Sequence, residues 1–163
     1  FMSSRFISHL KSYYGCFEVS DEESLGYPNF VWRLVRPYEP SDIGPIHRDS
    51  WFWDLNSSFP QPNFPYRRIK VWIAVHCEPT KNGLSLEPSS QIRNDVYYKV
   101  VHDGSIFKPI FDADRSGSVD MQIVSTTPGQ AIVFHDNLLH AGALNQGNEV
   151  RISLEFTMLL PKF

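Results

Sequence analysis

Residues 130–156, QAIVFHDNLLHAGALNQGNEVRISLEF, decide the fold prediction for this chain. Two runs rich in β-branched and aromatic residues, QAIVFH and VRISLEF, stand on either side of the polar cluster NQGN. Runs of this kind, bounded by turn-forming residues, are typical of β-strands. Because side chains alternate along a strand, Arg151, Ser153 and Glu155 are expected on one face of the second strand. The segment therefore predicts two strands with a loop between them.

The same pattern extends over most of the chain. Further strand-like runs occupy residues 30–35, 67–76, 97–101 and 122–126, and they alternate with turn clusters such as PTKNG and DRSGS. One amphipathic helix is predicted at residues 3–15, where apolar residues recur at helical spacing and Gly15 ends the pattern. The 12 prolines and the spacing of the strands favour a jelly roll or barrel over alternating strands and helices. We expect a mainly β fold with an N-terminal helix.

Length and composition limit the function classes. The 163 residues suffice for one domain but are few for two, so we assign residues 1–163 to a single domain. The net charge of -3 provides no positive surplus for a nucleic-acid backbone, and no apolar run approaches the roughly 20 residues that span a bilayer. Cys16 and Cys77 lie far apart and form no C-x-x-C motif. They fit two free thiols in a reducing compartment, which favours a cytoplasmic location.

The sequence PIHRDSWFWD, residues 45–54, contains the first candidates for a metal site. In a strand, His47 and Asp49 would point to the same side. A lone H-x-D pattern is common and often forms only a hydrogen bond, but His140 offers a third ligand downstream. Two histidines and one carboxylate are the facial triad typical of non-haem Fe(II) oxygenases, and they leave positions open for a co-substrate and O₂. We therefore predict that His47, Asp49 and His140 bind Fe(II).

Arg151 follows His140 and predicts an anion site near the metal. A guanidinium inside a small β domain needs an anion, and its planar fork suits the two oxygens of a carboxylate. Ser153, on the same predicted face, can add another hydrogen bond. Together they predict a dicarboxylate site. His135 is the rival third ligand, but it would lie on the opposite face of any strand shared with His140, so we expect it to support the structure instead.

These motifs resemble the phytanoyl-CoA dioxygenase-like branch of the Fe(II)/2-oxoglutarate-dependent oxygenases. The similarity covers roughly residues 31–158 and rests on HRD, on IKVWIAV and TKNGLSLEP, and above all on TPGQAIVFHDNLLHAGALNQGNEVRISLEF. The resemblance implies a double-stranded β-helix of the cupin-like jelly-roll type. It also implies that His140 completes the iron triad and that Arg151 binds the distal carboxylate of 2-oxoglutarate. The chain departs from many members at residues 88–91, which read P-S-S-Q where they have P-G-S-H.

The activity that the resemblance implies is oxidation of a small-molecule substrate by O₂. It is coupled to decarboxylation of 2-oxoglutarate and releases succinate and CO₂. Because related halogenases lack the carboxylate ligand, the presence of Asp49 favours hydroxylation. The alternative is a catalytically silent cupin-like or lectin-like binding module, since jelly rolls host both. The sequence identifies neither the substrate nor the oligomeric state.

Strand parity predicts further residues around this site. Lys70 on the central strand is expected to help bind 2-oxoglutarate, and Arg33 on an early strand to help bind the substrate. Trp51 and Trp53 have the same parity as the H-x-D ligands. They would wall the substrate cavity if a strand continues through them, and they would pack in the core if it does not.

Overall fold

The computed structural model describes residues 4–55, 63–103 and 106–162, and antiparallel strands are its main type of secondary structure. The α-helices are α1 (Arg5–Tyr14), α2 (Asp49–Leu55) and α3 (Ala113–Ser116), with 3₁₀ turns at Pro40–Asp42 and Ser90–Ile92. The strands are β1 (Glu18–Val19), β2 (Val31–Val35), β3 (Tyr66–His76), β4 (Leu84–Leu86), β5 (Tyr98–Asp103), β6 (Ile106–Phe111), β7 (Gln122–Ile123), β8 (Ala131–His135), β9 (His140–Gly142) and β10 (Arg151–Pro161).

The larger sheet has the order β1-β10-β3-β8, and β2 also pairs with β10. The first part of β10 is therefore hydrogen-bonded on both sides, to β2 and to β3. Glu155 lies opposite Trp72, so both side chains share one face of the sheet with Lys70, two residues earlier on β3. Pairing on both sides fixes the alternation of side chains along β10. Arg151 and Ser153 consequently lie on the same face as Glu155, as the sequence predicted.

The smaller sheet, β7-β4-β9, packs against the larger one, and β5 and β6 form a separate hairpin. Leu84 of β4 joins Trp72, Ala74 and Phe134 of the larger sheet in one buried cluster. The predicted strand at residues 122–126 is shorter than expected, because only Gln122–Ile123 pair with β4. The architecture confirms the mainly β, jelly-roll prediction.

The N-terminal helix is also confirmed. The Ser4 hydroxyl accepts a hydrogen bond from the backbone N–H of Ile7 at 3.3 Å, which caps the first turn. Gly15 follows the last turn at φ 76°, a left-handed conformation that glycine adopts without a steric penalty. Ile7 and Leu10 are buried on the larger sheet in a cluster that includes Phe156. Helix α1 therefore covers the sheet face opposite Arg151 and Lys70.

The H-x-D segment differs from the predicted strand. His47 forms a single antiparallel bridge with His140, and α2 begins two residues later at Asp49. The backbone N–H of Ser50 donates to the carbonyl of Asp136 at 3.1 Å, which ties the first turn of α2 to the end of β8. The strand considered for residues 47–53 does not continue past His47, because α2 begins at Asp49 and is tied to a distant segment.

The helices and cysteines of the described residues form neither a membrane-spanning segment nor a disulfide bond. Of the helices in residues 4–55, 63–103 and 106–162, none is both long enough and apolar enough to cross a membrane. Cys16 is an exposed free thiol, and Cys77 is a buried one whose Sγ contacts the carbonyl of Thr126 at 3.2 Å. The assignment of residues 1–163 to one domain stays a prediction.

Candidate functional site

A cavity of about 280 Å³ lies between the larger sheet and the H-x-D segment. The sheet contributes charged side chains and one indole to its wall: Arg33, Lys70, Trp72, Arg151 and Glu155. The other segments contribute imidazole, carboxylate and aromatic groups: His47, Asp49, Phe52, Trp53 and His140. Residues that are far apart in the sequence thus meet in one small space with both polar and aromatic walls.

Backbone pairing brings the two predicted histidine ligands together. The N–H of His47 donates to the carbonyl of His140 at 3.1 Å, and the reverse bond measures 3.0 Å. His140 also pairs with Leu86 on β4, which holds the start of β9 in the smaller sheet. The centroids of the two imidazole rings are 4.4 Å apart. Asp49, as the first residue of α2, places its carboxylate beside both rings.

The hydrogen bonds of the imidazoles fix which nitrogen faces the cavity. His47 Nδ1 lies 2.8 Å from the carbonyl of Pro45, and His140 Nδ1 lies 2.9 Å from the carbonyl of Leu138. Because a carbonyl can only accept, each Nδ1 carries a proton, and in the neutral tautomer this leaves the lone pair on Nε2. This arrangement of a histidine with its second nitrogen bonded to a carbonyl is common among metal ligands.

The ligand atoms of His47, Asp49 and His140 all lie within 4.8 Å of one another. Asp49 Oδ2 is 3.5 Å from Nε2 of His140, and Oδ1 is 3.8 Å from Nε2 of His47. In the described part of the chain, the buried Oδ2 atom has no hydrogen-bond donor. Two imidazole lone pairs and a carboxylate oxygen without a donor fit a divalent metal such as Fe(II).

Electrostatics keep these groups in the protonation states that a metal needs. Burial, aided by the neighbouring His140, lowers the pKa of His47 to about 4. Burial by itself would raise the pKa of Asp49, but the positive charge of Lys70, followed by the two histidines, outweighs it and lowers that pKa to about 2. At neutral pH His47 is therefore neutral and Asp49 is ionised.

Lys70, predicted to bind 2-oxoglutarate, contacts Asp49 instead. Its Nζ atom lies 3.5 Å from Asp49 Oδ1, and the side chain is buried. Burial tends to lower the pKa of Lys70, but the charges of Asp49, Glu22 and Glu155 outweigh it and raise that pKa above its ordinary value. Lys70 lines the cavity as a permanently charged partner of the carboxylate ligand.

Arg151 has no comparable partner. Its Nη1 atom donates to the Ser153 hydroxyl at 2.6 Å, while its buried Nε has no acceptor in the described residues. Burial lowers the pKa of Arg151 but leaves a guanidinium charged at neutral pH. A buried guanidinium with spare donors fits a carboxylate group. Ser153 is completely buried, so it orients Arg151 and does not line the cavity as the sequence suggested.

The two tryptophans occupy different environments. Trp53 lines the cavity, and the guanidinium carbon of Arg68 lies 5.1 Å from its ring centroid. Trp51 does not reach the cavity and packs in the core against Val96 and Leu139. Trp53 thus has the cavity position and Trp51 the core position that the sequence left open, because the helical turn of α2 replaces the period of two that a strand would give.

Arg33 and His135 lie farther from the metal ligands. Arg33 lines the cavity, and its Nε donates to Glu155 Oε1 at 3.0 Å while most of its side chain stays exposed. His135 lies outside this cavity, in a shallow pocket beside Asp136, where their Nδ1 and Oδ1 atoms are 2.9 Å apart. Its exclusion from the triad agrees with this position.

Several wall residues were not predicted from the sequence, among them Gly142 and Phe52. Gly142 lies beside Arg151, and a Cβ atom added there would come within 3.3 Å of Nη2 of the arginine. Phe52, the residue between the two tryptophans, lies edge-on to His47 at 5.3 Å between ring centroids. The sequence signal for Gly142 is its place two residues after His140 on a short strand. No local pattern pointed to Phe52, since its position depends on α2.

Comparison with known proteins identifies the family. The model of the phytanoyl-CoA dioxygenase family matches residues 29–153. The chain therefore belongs to this family. No curated protein matches the chain significantly in sequence.

Several solved structures share the fold. AviO1 from Streptomyces viridochromogenes Tue57 aligns with a TM-score of 0.60 at 16% identity, over 98% of this chain and 59% of its own. EvdO2 from Micromonospora carbonacea var. aurantiaca, complexed with 2-oxoglutarate, aligns at 0.59 with 12% identity, over 98% of this chain and 61% of its own. SnoN, a non-haem α-ketoglutarate-dependent epimerase from nogalamycin biosynthesis, aligns at 0.55 with 13% identity, over 94% and 52%. The chain thus spans less than two thirds of these relatives.

Proposed function

We propose that this member of the phytanoyl-CoA dioxygenase family is an Fe(II)- and 2-oxoglutarate-dependent oxygenase that hydroxylates a small-molecule substrate. In this proposal His47, Asp49 and His140 hold Fe(II), and Arg151 binds the distal carboxylate of 2-oxoglutarate. One observation carries it: three metal-competent groups face a single cavity together with a buried guanidinium that has no ion-pair partner among the described residues. Together with 2-oxoglutarate and O₂, the bound metal would supply the oxidising chemistry, with succinate and CO₂ as products.

The carboxylate and imidazoles are arranged to hold a metal with little rearrangement. Both histidine rings are oriented by carbonyls of their own segments, and Lys70 keeps Asp49 ionised. Three ligands on one side leave the opposite side open to a co-substrate and O₂. Such preorganisation means that the protein pays little conformational entropy when the ion binds.

Binding of the co-substrate 2-oxoglutarate would depend on Arg151. A distal carboxylate that accepts two parallel hydrogen bonds from the guanidinium would neutralise the buried charge of Arg151. Trp72 adds an aromatic wall whose ring centroid is 5.7 Å from the Arg151 guanidinium carbon. Gly142 has no side chain and therefore leaves space beside Nη2 of Arg151. These neighbours would shield the ion pair from water, which strengthens it.

The substrate would enter along the wall formed by Phe52 and Trp53. A cavity of about 280 Å³ suits a small compound, or one part of a larger compound. Hydroxylation is one of several outcomes to distinguish, because fold relatives include the epimerase SnoN and SnoK, a non-haem α-ketoglutarate-dependent carbocyclase. A product that gains one oxygen atom from O₂ would support hydroxylation.

The test begins with anaerobic titration of Fe(II), followed by 2-oxoglutarate, into the protein and its variants. His47→Ala, Asp49→Ala and His140→Ala should abolish saturable Fe(II) binding while circular dichroism still reports a folded β protein. Admission of O₂ to the parent complex should release succinate slowly even without substrate, and a substrate screen should accelerate it.

His135→Ala is the matched control, since this half-exposed histidine lies outside the cavity. It should bind Fe(II) like the parent protein. Parent-like Fe(II) binding by all three ligand variants would refute the metal assignment. Binding of Fe(II) and 2-oxoglutarate without any succinate would favour the silent binding module instead.

A further inference from the structure

Arg48 lies between two proposed metal ligands, yet its side chain is not on the cavity wall. It is buried, and its Nη2 atom donates to the carbonyl of Ser90 at 2.5 Å and to the carbonyl of Arg93 at 3.0 Å. Its buried Nε has no acceptor in the described part of the chain. The side chain of Arg48 therefore joins the H-x-D segment to the loop after β4.

Ser90 joins the same loop to the third proposed ligand. Its hydroxyl accepts a hydrogen bond from the backbone N–H of Leu139 at 2.8 Å, and the residue is completely buried. The N–H of Glu87 donates to the carbonyl of Leu139 at 3.0 Å. The backbone N–H and the carbonyl of Leu139, the residue before His140, are thus both hydrogen-bonded to this loop.

The loop is itself held rigidly. Arg93 donates through Nη1 to both oxygens of the Glu87 carboxylate, at 2.9 and 3.1 Å. Its Nε and Nη2 atoms donate to the carboxylate of Asp95 at 2.9 and 3.0 Å. A guanidinium that spans two carboxylates restricts the loop at both ends. We refer to Arg48 together with residues 87–95 as the bracket.

We propose that the bracket reinforces the backbone bridge between His47 and His140, with Arg48 and Ser90 as positioning residues for the metal ligands. The inference rests on the proposed function, because it assigns the bracket a role in metal binding. Burial of a guanidinium against neutral carbonyls has a desolvation cost that an apolar side chain would avoid. What Arg48 provides in return is an Nη2 group that donates to two carbonyls of one loop and so restrains the backbone of both neighbouring ligands.

The test compares Co(II) binding by the parent, Arg48→Met, Arg48→Lys, Ser90→Ala and Ser90→Thr proteins. Co(II) is suitable because its visible absorption depends on coordination geometry. Arg48→Met and Ser90→Ala should bind Co(II) about tenfold more weakly and with an altered spectrum, as expected when groups that orient metal ligands are removed. Ser90→Thr keeps the hydroxyl and should restore the parent spectrum, while Arg48→Lys should restore it in part.

Asn82→Ala is the matched control for general destabilisation. Asn82 is buried, accepts from the N–H of Glu78 at 3.0 Å and donates to Asn145 Oδ1 at 2.8 Å. Its loss should lower the melting temperature but leave the Co(II) spectrum unchanged. A folded Arg48→Met or Ser90→Ala protein with parent affinity and spectrum would overturn the proposal.

A metal-free measurement separates this inference from the proposed function. Amide hydrogen exchange at Leu139 and His140 should become faster in Ser90→Ala and Arg48→Met without any ion present. If the parent binds no Co(II), the proposed function fails, whereas the exchange data still decide whether the bracket holds these segments. If Arg48→Met does not fold, Ser90→Ala decides both measurements, and unchanged exchange there would refute the bracket.

Discussion

Lys70 and Arg151 are buried cations on the wall of one cavity, yet their surroundings differ. Lys70 lies 3.5 Å from the carboxylate of Asp49, whereas the more distant charge of Glu155 acts on both cations. Arg151 donates to the neutral hydroxyl of Ser153 and has no ion-pair partner in the described part of the chain. One end of the cavity has an ion pair within the protein, whereas at the other end none of the described carboxylates forms an ion pair with the guanidinium.

This difference separates a charge that supports the site from a charge that is available for binding. A buried cation that faces a buried anion stabilises the ionised form of both, and removal of one leaves the other uncompensated. A buried cation without an anion destabilises the fold until a ligand supplies one. The contrast therefore predicts opposite consequences for stability when each cation is replaced.

The largest effect is expected for Lys70→Met. Without Lys70, the buried Asp49 carboxylate loses its main counter-charge, so the free energy of unfolding should fall by roughly 3–5 kcal/mol in the metal-free protein. Saturating Co(II) should recover part of this loss, because the ion replaces the missing positive charge. Chemical denaturation with and without Co(II) measures both values.

Arg33→Met is the control for this change. Arg33 pairs with Glu155 at 3.0 Å but is mostly exposed, so its loss should cost no more than about 1 kcal/mol. Equal losses for Lys70→Met and Arg33→Met would show that the Lys70–Asp49 contact has no special weight. The contrast between the two ends of the cavity would then have to be abandoned.

Replacement of Arg151 should weaken the binding of 2-oxoglutarate more than it lowers the stability of the fold. Arg151→Lys keeps a positive charge but loses the planar fork, so 2-oxoglutarate should bind more weakly by roughly 1.5–3 kcal/mol. Arg151→Gln also removes the charge and should weaken binding further. Anaerobic titration of 2-oxoglutarate into the Fe(II) complex measures these differences.

Two accompanying results would sharpen the Arg151 comparison. Fe(II) binding should persist in both variants, and the free energy of unfolding of Arg151→Gln should not fall as that of Lys70→Met does. Unchanged 2-oxoglutarate affinity across the parent and both variants would remove Arg151 from the co-substrate site.

The smallest effects concern the tryptophans of α2. Trp51→Phe should lower the free energy of unfolding by about 1 kcal/mol and leave the ratio of product to succinate unchanged, because Trp51 lies in the core. Trp53→Phe should lower that ratio, because Trp53 lines the cavity and a smaller ring would hold the substrate less firmly. The same ratio in both variants would indicate that Trp53 is a packing residue only.

Two segments show where strand alternation in the sequence predicted the local structure and where it did not. In residues 151–155 strand alternation predicted the shared face of Arg151, Ser153 and Glu155, and the structure has it because this segment pairs continuously with β2. In residues 47–53 the same reasoning failed, since His47 makes only one bridge and α2 starts at Asp49. Alternation of side chains is a reliable prediction where continuous pairing with a neighbouring strand imposes it.

The candidate ligands were nevertheless identified from the sequence. Their residue types restrict the chemistry whatever the local conformation, because two imidazoles and a carboxylate suit few ions. The convergence of His47, Asp49 and His140 within 4.8 Å does not depend on a strand through the H-x-D motif. It depends on one backbone bridge and on the first turn of a helix.

The sequence by itself determined the fold class, the N-terminal helix, the family resemblance and the residue types of the candidate site. These follow from periodicity and from chemistry that each residue carries with it. Only the tertiary structure decided that Lys70 faces Asp49, that Ser153 orients Arg151, and that Trp53 but not Trp51 reaches the cavity. The physical reason is that charge pairing and burial depend on distances between segments remote in the chain, and local patterns contain no measure of those distances.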